Sequence, residues 1–245
     1  MLPLLLPALV VALAGFVQGM SGFGFSLIAA PLLSAFISPK IVLPALLLQS
    51  IIINLMVFIP AQKQVNLKSY GIMILTGIIG IPVGTWLLLT LSPDVIKVAV
   101  GVVTFLFALL LSLDVRFSIG HGRVSTGLVG LLSGVLNGSI TFSGPPVILF
   151  FTGKGMPKDA FRATLAAYFL VLNLVTLPSY FIGGLFNMQV VQLSAISLPA
   201  LLLGTAAGIV VVRFVPQHAF RRVTLILVLL MGLLAVYSGL KGMLA

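Results

Sequence analysis

The chain has 245 residues, of which 60% are hydrophobic and only 7% are charged. Soluble domains carry about 25% charged residues and cover their surface with them, and disordered chains are poor in apolar residues, so a soluble enzyme, a soluble nucleic-acid binder and a disordered chain are all excluded. The 13 Lys and Arg residues exceed the 3 acidic ones, but they lie singly between apolar blocks, where basic residues set membrane topology.

The hydrophobic residues form eight blocks separated by short polar joints, which predicts an all-α, polytopic integral membrane protein. Six blocks are 19–25 residues long. At ~1.5 Å per residue, a helix of that length crosses a hydrocarbon core of ~30 Å. In chain order the blocks cover about 2–38, 41–60, 69–91, 95–113, 124–153, 160–182, 188–212 and 221–243.

The first and fifth blocks are longer than one crossing and are interrupted. The first is interrupted at residues 19–24 by three glycines, and the fifth at residues 138–146 by glycines, serines and two prolines. Glycine and proline both disfavour a continuous helix. We therefore predict that each block consists of two half-helices joined by an unwound segment, with the later half-helices beginning near Ser26 and near Pro146.

The two interrupted blocks indicate an internal duplication, because several residues recur in the same order at a nearly constant offset. We predict two homologous halves, residues 1–113 and 124–245, within one membrane domain. Residues 114–123 form a polar cytoplasmic linker between them. The recurring pairs are Gly15 with Gly134, Gly19 with Gly138, Pro39-Lys40 with Pro157-Lys158, Asn54 with Asn173, Pro60 with Pro178, Gly80 with Gly204, and Gly84 with Gly208.

Two membrane topologies are compatible with these blocks. If each interrupted block crosses the membrane once, the chain makes eight crossings and the halves are parallel. If each is a hairpin followed by three transmembrane helices, the halves are inverted repeats. Hairpins place ten of the 13 basic residues on one side, whereas eight crossings divide them eight to five. The positive-inside rule therefore favours inverted halves, with both termini outside the cytoplasmic membrane.

The two interruptions are the candidate binding site. Unwound backbone at membrane depth is tolerated only where it is buried in protein or lines a wet cavity, and paired broken helices at matching places in two repeats are typical of transporters. Each later half-helix would direct its positive end and open N–H groups inward, which suits an anion. The candidate substrate-binding residues are Gln18, Gly19, Ser21, Gly22, Gly24, Ser26, Asn54, Asn137, Gly138, Ser139, Thr141, Ser143, Gly144 and Asn173.

Some of these residues also have a structural interpretation. Small residues let membrane helices pack closely, and this is the expected role of Gly80, Gly84, Gly204 and Gly208 inside unbroken blocks. The amides of Asn54 and Asn173 either contact a ligand or bond across helices. The basic cluster Lys154, Lys158 and Arg162 either anchors the topology or attracts anions to the cytoplasmic mouth.

Several kinds of chemistry are not expected from this sequence. Asp94, Asp114 and Asp159 all lie in joints, so the usual intramembrane proton relay is missing. His121 and His218 also lie in joints and share no partner at metal-ligand spacing. There is no cysteine, and no acid/base pair or activated nucleophile can be assembled. We therefore expect neither an enzyme nor a bound cofactor or metal.

Two stretches resemble the sulfite exporter TauE/SafE family. The first is residues 15–24, GFVQGMSGFG, followed by Pro31. The second runs from Gly134 to Pro146 and is followed by residues 161–164, FRAT. The resemblance covers nearly the whole chain and implies transport of small anions across the cytoplasmic membrane, among them sulfite, sulfonates such as sulfoacetate, and other organic acids.

The leading hypothesis is therefore a secondary transporter of small anions that works by alternating access. An anion channel is the alternative, and a non-transporting membrane scaffold is a third. The expected partners are the anionic substrate and the lipid bilayer, without nucleic acid, and a homodimer is left open. The substrate, the direction of transport and the coupling ion do not follow from the sequence.

Overall fold

The computed structural model describes residues 2–65, 70–113, 122–152, 158–212, 233, 237 and 240–241. Regular structure within these ranges is helical, as predicted, and includes a short 3-10 helix at Ile59–Gln64. The α-helices are α1 (Leu2–Ser21), α2 (Phe25–Ser34), α3 (Pro39–Phe58), α4 (Gly71–Thr90), α5 (Pro93–Ser112), α6 (Arg123–Ile140), α7 (Gly144–Thr152), α8 (Lys158–Ile182) and α9 (Met188–Val211).

Five helices are long and apolar enough to cross a membrane, namely α3, α4, α5, α8 and α9. Each coincides with one of the uninterrupted apolar blocks, so the prediction of a polytopic membrane protein is confirmed. The predicted span 221–243 lies outside the described residues, apart from residues 233, 237, 240 and 241. Most of the predicted linker, residues 114–121, also lies outside them.

Both interrupted blocks are broken where the sequence predicts. Helix α1 ends at Ser21 and α2 begins at Phe25, while α6 ends at Ile140 and α7 begins at Gly144. The later helices thus start one and two residues before the predicted positions. The term half-helix fits α2 and α7, with 10 and 9 residues, but is wrong for α1 and α6, which have 20 and 18.

Glycines hold the longer helix of each broken block against a helix of the other half. A Cβ atom added at Gly134 of α6 would collide with the carbonyl oxygen of Gly77 in α4, and one at Gly204 of α9 would collide with that of Ala12 in α1. Gly80, Gly84 and Gly208 lie at the same two interfaces and confirm the packing interpretation. The backbones of α1 and α9, and of α4 and α6, are therefore in direct contact.

These contacts interlock the two predicted halves. Helix α1 packs on α9, α6 packs on α4, and α3 packs on α8. Each half therefore depends on the other to cover its broken block. The division into repeats at 1–113 and 124–245 stays a prediction, and this pairing of equivalent helices agrees with it.

Candidate functional site

The two breaks line one common cavity. The cavity is small, with a volume of about 30 Å³, which is room for about two water molecules. The walls come from α1, the first break, α2, α3, the second break, α7 and α8. The described lining residues are Gln18, Phe23, Gly24, Ser26, Leu27, Ser50, Thr141, Phe142, Ser143, Gly144, Pro145, Ile148 and Phe169.

The cavity lies about halfway along two candidate membrane spans. Ser50 is near the middle of α3, and Phe169 is near the middle of α8. The two residues are 119 positions apart, which is the offset that relates the two halves. The cavity is therefore deep in the helical bundle, where irregular backbone is expected only if it lines a polar space.

At the first break the backbone turns on glycine. Gly22 has φ 83° and Gly24 has φ 107°, both in the left-handed region that side chains with a Cβ atom avoid. The amide of Gly22 donates to the carbonyl of Gln18 at 2.8 Å. The Ser21 hydroxyl lies 2.8 Å from the Val17 carbonyl and 2.5 Å from the Phe23 carbonyl, so it stabilises the turn rather than facing the cavity.

The Gln18 side chain links this break to α2 and α3. Its Oε1 accepts the backbone N–H of Phe25 at 3.0 Å, and its Nε2 donates to Oδ1 of Asn54 at 2.9 Å. The first α2 amide is thereby capped. The next two amides, those of Ser26 and Leu27, have no acceptor within the described part of the chain, and both residues line the cavity.

At the second break the backbone turns on a threonine. Thr141 has φ 59° and donates its amide to the carbonyl of Asn137 at 2.9 Å, which repeats the bond between Gly22 and Gln18. The carbonyl of Ser143 accepts the Ser133 hydroxyl at 2.7 Å. Helix α7 then begins Gly-Pro-Pro, and because proline has no N–H, only Gly144 offers an amide in its first three positions.

Two asparagines meet at a serine on α3. Nδ2 of Asn173 donates to Oγ of Ser50 at 2.9 Å, and Nδ2 of Asn54 donates to the same oxygen at 3.3 Å. Neither asparagine is among the described lining residues of the cavity. Their side chains bond across helices, which is the structural one of their two predicted roles.

Six of the fourteen candidate residues line the cavity: Gln18, Gly24, Ser26, Thr141, Ser143 and Gly144. The other eight lie around it in the helix interfaces, the turns and the hydrogen-bond network. Ser139, for example, donates its hydroxyl to the carbonyl of Val135 in its own helix. These eight are Gly19, Ser21, Gly22, Asn54, Asn137, Gly138, Ser139 and Asn173.

Sequence reasoning did not identify the apolar walls or Ser50. Phe23 and Phe142 occupy equivalent places in the two breaks, and the repeat offset could have suggested both as lining residues. Ser50 has no comparable signal, because a single serine inside an apolar helix is ordinary. Its role depends on its neighbours Asn54 and Asn173, and a sequence does not show those contacts.

Helix α8 also holds the ends of the two long broken helices. Nη2 of Arg162 donates to the carbonyl of Gly19 at 2.5 Å, and the Tyr180 hydroxyl donates to that of Gly138 at 3.0 Å. A cation at a helix C-terminus interacts favourably with the unpaired carbonyls there. Arg162 thus has a structural contact. In the rest of the predicted basic cluster, Lys154 and the Lys158 side chain lie outside the described residues.

No group of three or more His, Asp or Glu side chains that could hold a metal ion occurs within the described ranges. The described lining residues of the cavity carry neutral polar or apolar side chains. Deep cavities at paired helix breaks are characteristic of secondary transporters, which bind their substrates where interrupted helices meet.

A family model described as Sulfite exporter TauE/SafE matches residues 7–235. The match covers nearly the whole chain, so this protein belongs to the sulfite exporter TauE/SafE family, as its resemblance implied. No curated protein and no solved structure matches the chain. Family membership and the five apolar helices establish a multi-pass membrane protein of a transporter family, and this agrees with the prediction that it is not an enzyme.

Proposed function

We propose that this protein is a secondary transporter that carries sulfite, a sulfonate such as sulfoacetate, or a related small organic acid across the cytoplasmic membrane. One observation carries the proposal: both helix breaks line the same cavity, midway along two candidate spans. The family description supports the class of substrate. The cavity is the site at which we propose that the anion binds.

Several residues that line this cavity have N–H groups without an acceptor in the described part of the chain. The amides of Ser26, Leu27 and Gly144 are open, and Gln18 keeps one N–H after its bond to Asn54. The described lining residues include no carboxylate that would repel an anion. Donors that face an ionised acceptor form bonds about twice as strong as neutral pairs. The site would therefore hold an anion without a buried countercharge.

The directions of two helices support inverted halves. A Cβ atom added at Gly77 of α4 would lie 3.0 Å from Leu172 and 3.1 Å from Tyr168 of α8, and one at Gly183 would lie 3.1 Å from Leu89. The later residue of α4 thus contacts the later residue of the α8 segment, so α4 and α8 run parallel. If the broken blocks are hairpins, these are the second and fourth crossings and have the same direction. With eight crossings they would be the third and sixth and would oppose each other.

Inverted halves that meet at a central site suit alternating access, in which one bundle of helices rocks against another. The interlocked packing of α1 with α9 and of α4 with α6 suggests which helices move together. Both termini would then lie on the same side, and we keep the prediction that this is the outside. Cysteines introduced near residues 1 and 245 should react with an impermeant reagent in intact cells, and protection of either would contradict this topology.

Purified protein in liposomes tests the proposed function. We expect saturable uptake of labelled sulfite or sulfoacetate, with counterflow against unlabelled substrate. Gly144→Val should abolish uptake, because a Cβ atom there already lies 3.0 Å from Ile148 and 3.5 Å from Phe169 across the cavity wall. Gly71→Val is the matched control, since a Cβ atom at Gly71 meets nothing within 4 Å.

The outcomes separate the alternatives. Large unitary currents without counterflow would favour an anion channel. Absence of flux for every anion tested, together with a stoichiometric protein partner, would favour a scaffold. Uptake that survives Gly144→Val unchanged would remove the cavity as the site.

A further inference from the structure

The hydroxyl of Ser50 receives hydrogen bonds, whereas several other hydroxyl groups of this helical bundle donate one to their own helix. A serine or threonine inside an apolar helix usually donates its hydroxyl to the carbonyl four residues earlier. Thr104, Thr176 and Ser194 do so here, at 2.6, 2.9 and 2.8 Å. Within the described residues Ser50 makes no such bond. It receives two N–H bonds instead, from Asn54 and Asn173.

A chain of bonds that starts at the backbone sets these directions. The amide of Phe25 can only donate, so the atom of Gln18 that faces it must be the oxygen. The Gln18 nitrogen therefore faces Asn54, whose oxygen accepts it and whose nitrogen faces Ser50. Because each amide has one donor end and one acceptor end, Ser50 is left as the acceptor at the end of this chain.

The hydroxyl of Ser50 thus has one unused function. A hydroxyl has two lone pairs and one hydrogen. The two asparagine amides occupy the lone pairs, and the hydrogen has no acceptor in the described part of the protein. Ser50 lines the cavity, together with Gln18 and Ser26. The hydrogen is therefore available to a solute in the cavity and to little else.

We infer that the Ser50 hydroxyl donates a hydrogen bond to an oxygen of the bound anion and makes the site selective for oxyanions. This inference rests on the proposed function and adds a residue outside the predicted site. Asn54 and Asn173 act through Ser50 as positioning residues. A site built to donate to an oxygen discriminates strongly against a solute that lacks it, because its donor is then left unpaired.

The test compares Ser50→Ala with Ser50→Thr in proteoliposomes. Loss of a hydrogen bond to a charged acceptor should raise the half-saturating sulfite concentration about tenfold or more in Ser50→Ala. Ser50→Thr keeps the hydroxyl and should stay within about threefold of the unmodified protein. Ser194→Ala is the control, because that hydroxyl bonds only its own helix and lies outside the cavity lining. Melting temperatures measured on the same samples check folding.

The results distinguish the two proposals. An unmodified protein that moves no anion would overturn both. Normal sulfite affinity in a folded Ser50→Ala variant, with transport intact, would overturn the role of Ser50 and leave the transporter standing. Equal losses in Ser50→Ala and Ser50→Thr would point to packing rather than donation and would also overturn it.

A labelling experiment gives a second readout if Ser50→Ala fails to fold. The chain has no cysteine, so Ser50→Cys carries a unique thiol. We expect N-ethylmaleimide to modify it slowly, and saturating sulfoacetate to reduce the rate about tenfold or more, as occupancy of a site does. The rate for Ser194→Cys should not change. A labelling rate of Ser50→Cys that does not change when sulfoacetate is added would contradict the inference.

Discussion

At the first break the chain turns on glycine, whereas at the equivalent point of the second it turns on threonine. Gly22 and Thr141 are 119 residues apart, and both have positive φ. The helices that follow also differ, because the first positions of α2 carry amides that can donate, whereas in α7 two prolines follow Gly144. The two breaks thus share a bend and differ in their chemistry. The first break offers the open amides of Ser26 and Leu27, whereas the second offers that of Gly144 beside two prolines.

The two breaks also differ in what holds them. Arg162, near the start of α8, binds the carbonyl at the end of α1, and Tyr180, near the end of α8, binds that at the end of α6. Eighteen residues separate them, which is ~27 Å of helix. Phe169 lies between them at the cavity. Helix α8 thus contacts both breaks and the cavity. Movement of α8 would therefore change its contacts at all three places.

The largest expected difference between the breaks lies at Gln18 and its equivalent, Asn137. Gln18→Leu leaves the buried amide of Phe25 and the oxygen of Asn54 without partners, at about 1–3 kcal/mol each. Asn137 makes one side-chain bond, to Thr176, and its Oδ1 has no partner within the described ranges. We expect anion uptake to fall about 100-fold or more in Gln18→Leu and about tenfold or less in Asn137→Leu.

Initial uptake rates and melting temperatures measured together check this prediction. The unmodified protein is the reference, and Ser194→Ala controls for loss of a hydroxyl away from the site. Equal loss of uptake in both leucine variants would mean that the two breaks contribute equally to transport, which contradicts this prediction.

The spans and the breaks were predictable because they depend on local chemistry. Long apolar blocks must form helices in lipid, since every buried N–H and C=O needs a partner. Glycines before Phe25 and prolines after Gly144 interrupt those helices wherever the rest of the chain lies. Gly19 and Gly138, which the repeat offset pairs, each lie in a close interface between two helices.

The lining of the cavity was less predictable because it depends on how helices rotate against each other. Gly19 and Gly138 are in the right segments, but they face α9 and α4 rather than the cavity. Asn54 and Asn173 are at the right depth, but they turn toward Ser50. Those choices are made by close contacts between distant segments. The hydrophobic periodicity and the residue types of a single helix do not determine which of its residues face the cavity.

Addition of a Cβ atom at the first bend and its removal at the second should change stability in opposite directions. Gly22→Ala places a Cβ atom in left-handed backbone, which costs ~1–2 kcal/mol, and within 3.0 Å of the Arg162 backbone. Thr141→Gly removes the corresponding strain. We expect the melting temperature in detergent to fall in Gly22→Ala and to rise in Thr141→Gly. A fall of similar size in both would show that the Thr141 side chain contributes more than its backbone costs.

Replacement of Ser26 can make the first break resemble the second, because its equivalent is Pro145. Ser26→Pro removes an open amide from the cavity at a place in the first helical turn where proline fits. We expect sulfite affinity to fall about tenfold, the effect of one charge-assisted hydrogen bond. Ser26→Ala removes only the hydroxyl and should cost less. If the alanine variant loses as much, the amide is not the donor that matters.

The smallest expected effect is that of pH on anion binding. It depends on a feature that both breaks share. The described lining residues, from both breaks alike, include no titratable side chain. Any pH dependence of binding must then come from the substrate. Sulfite gains charge as pH rises near neutrality, so its affinity for a site of donors should rise modestly, whereas a simple alkanesulfonate keeps one charge and should bind equally across the same range. Binding curves for both anions at several pH values test this. If the affinity for the sulfonate falls as pH rises, a group on the protein close to the cavity must titrate. The anion would then be bound by a charged group as well as by the two neutral breaks.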